Sequence, residues 1–236
     1  RTKSDSPVGA GIAGSSAMNV ALTAALARWT GATLTDEQLL TVAMNVEAQV
    51  IRVPTGVQDY RPALYGGVSA VELDVTGVRR VALSVPLHEL ERRIVLAYTG
   101  ASRNSGINNW DVMTRRIGND PVVVAAFDGI RDAAIGLRQS LESGDWTGVA
   151  RHLSCEWEHR KHLGPTVTTD RIDDLFLKAR GAGALAGKVC GAGGGGCLFC
   201  LVSPEDRTRV ADTLASAGAT VLPFTIESDG LQVVVS

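Results

Sequence analysis

The sequence predicts an α+β fold with two layers per domain, and three observations carry that prediction. Two Ala- and Leu-rich segments with apolar residues at helical spacing follow one another near the start, with no strand between them. Short β-branched runs bounded by turn residues fall in the middle and in the last third, separated by long helical patterns. No internal repeat or low-complexity stretch interrupts the 236 residues, a length that admits one large domain or two modest ones.

The first helix is read in SAMNVALTAALARW, where Met18, Ala21, Leu22, Ala25 and Leu26 share a face. It should stop at Thr30-Gly31, because Gly suits the left-handed position after a helix. The second opens with a capping box, Thr35 with Gln38, and closes before Pro54. GGVSAVELD, VRRVALSVP and RRIVLAYT read as strands. Two amphipathic helices joined around Gly144 follow, and a third ends at Gly181. The last third reads as strand CLFCLV, helix SPEDRTRVADTLASAG, and strands ATVLPFTI and LQVVV.

The totals exclude several classes. Net charge is −2, so no basic field invites nucleic acid, and 45% apolar residues suffice for a packed core. No run of eighteen apolar residues and no signal peptide is seen, which predicts a cytoplasmic protein away from membranes. The cysteines, at 155, 190, 197 and 200, are too few and uneven for a disulfide framework. Cys197 and Cys200 have C-x-x-C spacing, but in a strand they point to opposite faces and read as core residues. His152, Cys155, His159 and His162 lie along one helix, which reads as an ordinary amphipathic helix in preference to a metal face.

Two glycine-rich stretches carry the functional signal. Gly9, Gly11 and Gly14 have G-x-G-x-x-G spacing, yet only RTKSDSP precedes them, and Asp36 and Glu37 sit at the start of a further helix. A dinucleotide-binding turn needs a buried strand before the loop and an acidic residue ending the next strand, so NAD is disfavoured. The lysine of a GxxxxGK[ST] loop is also missing, which excludes a P-loop NTPase. The loop nonetheless leads into a helix whose N-terminus offers unpaired amides to an anion. Ser15 or Ser16 reads either as the helix N-cap or as a hydroxyl beside bound phosphate and Mg²⁺. In KVCGAGGGGCLF, the glycines at 191 and 193 to 196 exceed what a tight turn requires. That density points to close backbone approach to a ligand or to another loop.

These stretches resemble a known family. PVGAGIAGSSA, residues 7–17, is similar to the GHMP kinase motif P-x-G-x-G-L-G-S-S-A, and KVCGAGGGGCLF to a later motif of the same family. EAQVIRVPTGVQDYRPALYGG resembles the segment between them. Gly56, Gln58, Asp59 and Tyr65-Gly66-Gly67, with YTGASRNS, EWEHRK and GALAGK, look most like the branch acting on heptose 7-phosphates. The resemblance spans essentially the whole chain and implies ATP-dependent, Mg²⁺-assisted phosphoryl transfer to a small-sugar hydroxyl, the anomeric one in that branch.

It further implies that Pro7, Gly9, Gly11, Gly14, Ser15 and Ser16 cradle the nucleotide phosphates. Ser16 and Glu47 would hold the metal, and Asp59 would accept or orient the acceptor proton. Gly191, Gly193 and Gly194 would lie near the substrate, buttressing the nucleotide loop. Arg103 and Ser105 would meet a phosphate already on the sugar. The implied architecture has two domains. A ribosomal-S5-like part (1–106), incomplete here, would carry the nucleotide loop, and a ferredoxin-like part (107–236) would follow, with the site between them.

Two departures accompany the resemblance. The family's first motif is absent before RTKSDSP, which predicts weak or no kinase activity for this chain alone, a missing N-terminal segment or a homodimer. Tyr60 stands where Gln is common, a change expected to alter the sugar pocket. A different acceptor, such as another sugar or a small alcohol, and a nucleotide-binding protein without catalysis are the alternative readings.

Overall fold

A computed structural model describes residues 1–102 and 105–234, apart from the side chains of 105–108. The chain divides into two compact units. One comprises Arg1–Pro7, Ala13–Leu87 and the chain from Thr225 onward, and the other Val8–Ile12 and His88–Phe224.

The first unit begins with helix α1 (Gly14–Thr30), which ends where Gly31 turns left-handed at φ 74 and donates back to Ala27 and Arg28. Helix α2 (Asp36–Ile51) opens with the expected reciprocal bonds between Thr35 and Gln38 and ends at Arg52, φ 58. A short helix, α3 (Tyr60–Tyr65), was not legible in the sequence, because Arg61-Pro62 reads as extended chain. Pro62 is tolerated there as a first-turn residue, whose N–H would be unpaired in any case. Val20 and Ala24 of α1 pack with Leu39, Leu40 and Ala43 of α2 and with Tyr60 and Leu64 of α3. The opposite stripe of α1, Met18, Leu22, Leu26 and Trp29, is exposed. Strands β1 (Ser69–Asp74) and β2 (Gly77–Ala82) form an antiparallel hairpin in register from Ser69 against Ala82 to Asp74 against Gly77.

The expected strand at LQVVV does not form. Among the described residues, 231–234 pair with no strand, and Leu231 instead donates its amide to the carbonyl of Leu64 at 3.1 Å. Alternation suits a segment to a pleat, but a strand also needs a free edge to join.

The second unit holds a four-stranded antiparallel sheet. In chain order it runs α4 (Leu87–Arg93), β3 (Ile94–Tyr98), α5 (Ser105–Ile117), α6 (Pro121–Ser143), α7 (Trp146–Lys161), α8 (Asp170–Gly181), β4 (Ala184–Val189), β5 (Cys197–Val202), α9 (Arg207–Ser216) and β6 (Thr220–Leu222). The strand order β4-β5-β3-β6, with helices after the first and third strands, is the ferredoxin-like β-α-β-β-α-β arrangement. Arg92 and Arg93, read as strand residues, belong to α4, and Pro223 cuts the ATVLPFTI strand to three residues. In β5, Leu198, Cys200 and Val202 enter the large core with Ile172, Leu175, Val210 and Leu214, while Leu201 joins Val149, Leu153 and Ala186 in another cluster. Cys197 and Cys200 are both fully buried, and burial pushes the Cys200 thiol up to about 12.

Helices α6 and α7 pack antiparallel. Asp120 caps α6 through the amides of Val122 and Val123, with Pro121 in its first turn. A Cβ on Gly136 would strike the ring of His152, and one on Gly129 the ring of His159. The two imidazoles of α7, seven residues apart, therefore lie over glycines of α6 with the same spacing. Their helical pattern reflects this seam. Among the described residues no helix is long and apolar enough to cross a membrane.

Candidate active site

Local backbone geometry sets the first loop. Gly9 (φ 68), Gly11 (φ 74) and Ala13 (φ 62) are left-handed at every second position. Alternation of this kind is the backbone pattern from which amides that receive anionic oxygens are built. Ala13 is the N-cap of α1 and no side chain caps the helix, so Ser15 and Ser16 lie within its first turn. The N-cap reading of the two serines is thereby corrected. Ser15 is exposed and Ser16 buried. A Cβ on Gly14 would come within 2.8 Å of the Ser6 hydroxyl, and Ser6 in turn reaches the carbonyl of Pro7 at 3.4 Å.

Three side chains from three helices of the first unit converge just past that helix start. Ser16 Oγ of α1 donates to Glu47 Oε2 of α2 at 3.2 Å, and the Tyr60 hydroxyl of α3 donates to the same oxygen at 2.7 Å. Burial, with the Glu47 carboxylate beside it, pushes the Tyr60 hydroxyl up to about 12, so it stays protonated and remains a donor. Asp59, half-buried, is the N-cap residue of α3 and the chain neighbour of Tyr60. The donor set suits a hard dication, since both Ser16 and Glu47 offer oxygen.

The second glycine loop packs on the first within the other unit. Gly191, Gly193, Gly194, Gly195 and Gly196 all have positive φ, from 65 to 150. A Cβ on Gly196 would lie 2.6 Å from the carbonyl oxygen of Ala10 and 2.7 Å from that of Gly9. Cys197 donates its amide to Ala10 at 2.7 Å, Gly196 donates to Ala101 at 2.8 Å, and Thr99 donates to Gly196 from both amide and hydroxyl. Gly194 donates to Val167 at 2.9 Å, and a Cβ on Gly193 would collide with the backbone of Val167. Of the two readings offered by glycine density, contact with another loop is the one the backbone displays.

Other sequence signals resolve differently. Arg103 lies outside the described residues, and Ser105 is the first residue of α5, its side chain outside the description. EWEHRK and GALAGK meet. Glu156 Oε1 accepts from Lys188 Nζ at 2.6 Å and from Arg160 Nε at 2.7 Å, and Trp157 packs edge-on to Phe176 at 5.7 Å. Burial alone would raise the Glu156 carboxyl, but the charges of Lys188 and Arg160 outweigh it and hold it low. Burial and Arg160 hold Lys188 below its ordinary value. Tyr60 is 1% exposed with its hydroxyl committed to Glu47, so the bond to Glu47 is the role its geometry displays. Sequence reasoning missed that bond, and its one trace was the aromatic residue standing where Gln is common.

Two family models match the chain: "GHMP kinases N terminal domain" over residues 1–67 and "GHMP kinases C terminal" over residues 137–220. D-glycero-alpha-D-manno-heptose 7-phosphate kinase of Campylobacter jejuni is 28% identical over 240 residues, covering 98% of this chain and 69% of that protein. Mevalonate kinase of Thermococcus gammatolerans is 29% identical over 234 residues, covering 96% and 66%. Among solved structures, a D-glycero-D-manno-heptose 1-phosphate kinase from Bacteriodes thetaiotaomicron aligns with TM-score 0.74 at 26% identity, covering 98% of this chain and 66% of that one. The chain thus spans about two thirds of the length of the relatives it matches.

Proposed function

The chain belongs to the GHMP kinase family, and on that premise we propose that it transfers the γ-phosphoryl group of ATP to a hydroxyl of a small sugar, with the anomeric hydroxyl of a heptose 7-phosphate as acceptor. The observation that carries the reading is the convergence of Ser16 and Glu47 just past an uncapped helix start fed by a loop of alternating left-handed residues. Amides of Gly9 to Ser16 and the positive end of α1 hold the phosphates. Ser16 and Glu47 would hold Mg²⁺, which would supply charge neutralisation on the phosphate oxygens. Asp59 takes the proton from the acceptor hydroxyl as its oxygen bonds to the γ-phosphorus and the bond to the departing ADP oxygen breaks. Such a transfer is loose, so positioning and charge neutralisation carry most of the rate. The heptose acceptor rests on the Campylobacter jejuni relative and on EWEHRK and GALAGK, which the Glu156–Lys188 pair joins.

The mevalonate kinase relatives support a second reading in which the acceptor is a small alcohol. ADP release with Mg-ATP, measured across heptose 7-phosphate, galactose and mevalonate, separates the two, and heptose 7-phosphate should be the preferred acceptor. Asp59→Asn should lower transfer by about 10³-fold or more while leaving nucleotide affinity unchanged. Transfer by that variant equal to that of the unaltered protein removes Asp59 from the chemistry.

A further inference from the structure

Resting on the kinase reading, we propose that Tyr60 is the positioning residue of the metal site: from a buried ring, its hydroxyl holds Glu47 Oε2 beside Ser16 Oγ, ready for a divalent cation. The argument starts from which contact survives when the cation arrives. A carboxylate oxygen carries two lone pairs, so Oε2 can accept from Tyr60 and ligate a metal together. The Ser16 hydrogen bond to the same oxygen cannot persist in that way. Once Ser16 Oγ turns a lone pair to the cation, its hydrogen must point elsewhere. Tyr60 is then the contact on this oxygen that is the same with and without metal.

The two hydrogen bonds differ in keeping with those roles. The one from Tyr60 is short, 2.7 Å, and the one from Ser16 is long, 3.2 Å. Tyr60 is also the better anchor. Its ring is 1% exposed and packs with Val20, Ala24, Leu39, Leu40, Ala43 and Leu64. Glu47, by contrast, is half-buried and hangs on a flexible stem whose ordering costs rotamer freedom. A fixed donor on the ligating group removes part of that cost before metal binds, and loss of such outer partners weakens metal affinity by about 10–100-fold in known sites.

The test compares Tyr60→Phe with the unaltered 236-residue chain, reading Mn²⁺ bound in the presence of ADP by the electron paramagnetic resonance of the free ion. The expected result is Mn²⁺ affinity about tenfold weaker, with metal-free ADP affinity nearly unchanged and cooperative urea unfolding retained. Unchanged Mn²⁺ affinity overturns the proposal, and so does a parallel fall in metal-free ADP affinity, which marks general damage to the loop. Glu47→Gln separates this from the parent reading. If Glu47→Gln weakens Mn²⁺ and Tyr60→Phe does not, Tyr60 alone loses its role. If neither does, the metal site itself is wrong and the proposal falls with it.

Discussion

Replacing Gly196 by Ala tests the contact between the two glycine loops. The new Cβ would stand 2.6 Å from the Ala10 oxygen and 2.7 Å from the Gly9 oxygen, where ordinary contact begins at 3.4 Å. Both obstacles are backbone, so neither can swing aside as a side chain could. The residue also sits at φ 75, which costs an L-residue roughly 1–2 kcal/mol. Moving the Ala10 carbonyl by more than half an ångström takes it out of its 2.7 Å bond with the Cys197 amide, a loss of about 1 kcal/mol. We expect a total of about 2–3 kcal/mol, equivalent to roughly 4–12 °C in Tm for a chain of this size. Urea unfolding followed by tryptophan fluorescence reads the stability, and Mg-ADP titration reads the loop. Gly181→Ala is the control of opposite sign. It ends α8 with open space around it and should be neutral or stabilising by up to about 1 kcal/mol. A Gly196→Ala chain within about 1 kcal/mol of the original, with nucleotide affinity intact, would refute the buttress.

Two further perturbations test the framework around the site. Thr35→Ala removes the side-chain acceptor of the Gln38 amide and should cost about 1 kcal/mol by thermal melting, without changing Mg-ADP affinity. Lys188→Met strips one cation from Glu156, whose side chain is 8% exposed, and should cost about 2–3 kcal/mol near neutral pH. The pH dependence has a definite sign. Glu156 is held below its ordinary 4.5 in the folded chain, so its contribution is complete above 4.5 and fades as pH falls through the lower folded value. The Lys188→Met chain should therefore lose stability less steeply below pH 4.5 than the original, and equal acid slopes in urea titrations contradict that account.

Much of the helical framework was legible because capping chemistry is local. Thr35 with Gln38, Gly31 and Gly144 mark their helix ends in the sequence and do so in the structure. The elements that escaped depend on neighbours that sequence order does not reveal. ALAGKV has a weak strand composition, yet β4 forms because Gly187 lets the Phe176 ring and the Phe199 carbonyl approach; a Cβ would lie 2.8 and 2.9 Å from them. LQVVV has the alternation of a strand but meets the Leu64 carbonyl instead of an open edge. Within the candidate site, Ser16 and Glu47 were named from the family resemblance, and the structure sets Ser16 Oγ 3.2 Å from Glu47 Oε2. The Tyr60 hydroxyl was not, since a hydrogen bond across two helices leaves no periodic signal. Ala13 escaped as well, because a left-handed alanine at a helix cap runs against the residue preference that guides such readings.

The path of the chain through its two units bears on how the molecule is made. Val8–Ile12 belongs with 88–224, and the chain from Thr225 belongs with 13–87. During synthesis, Ala10 leaves the ribosome early and waits for the Cys197 amide, roughly 10–40 s at ordinary elongation rates. Leu64 likewise waits for Leu231. A single scission at Leu87 would leave a needed segment on the wrong half for both units, so nicked or prematurely terminated chains should be poor substrates for reassembly and ready prey for proteases.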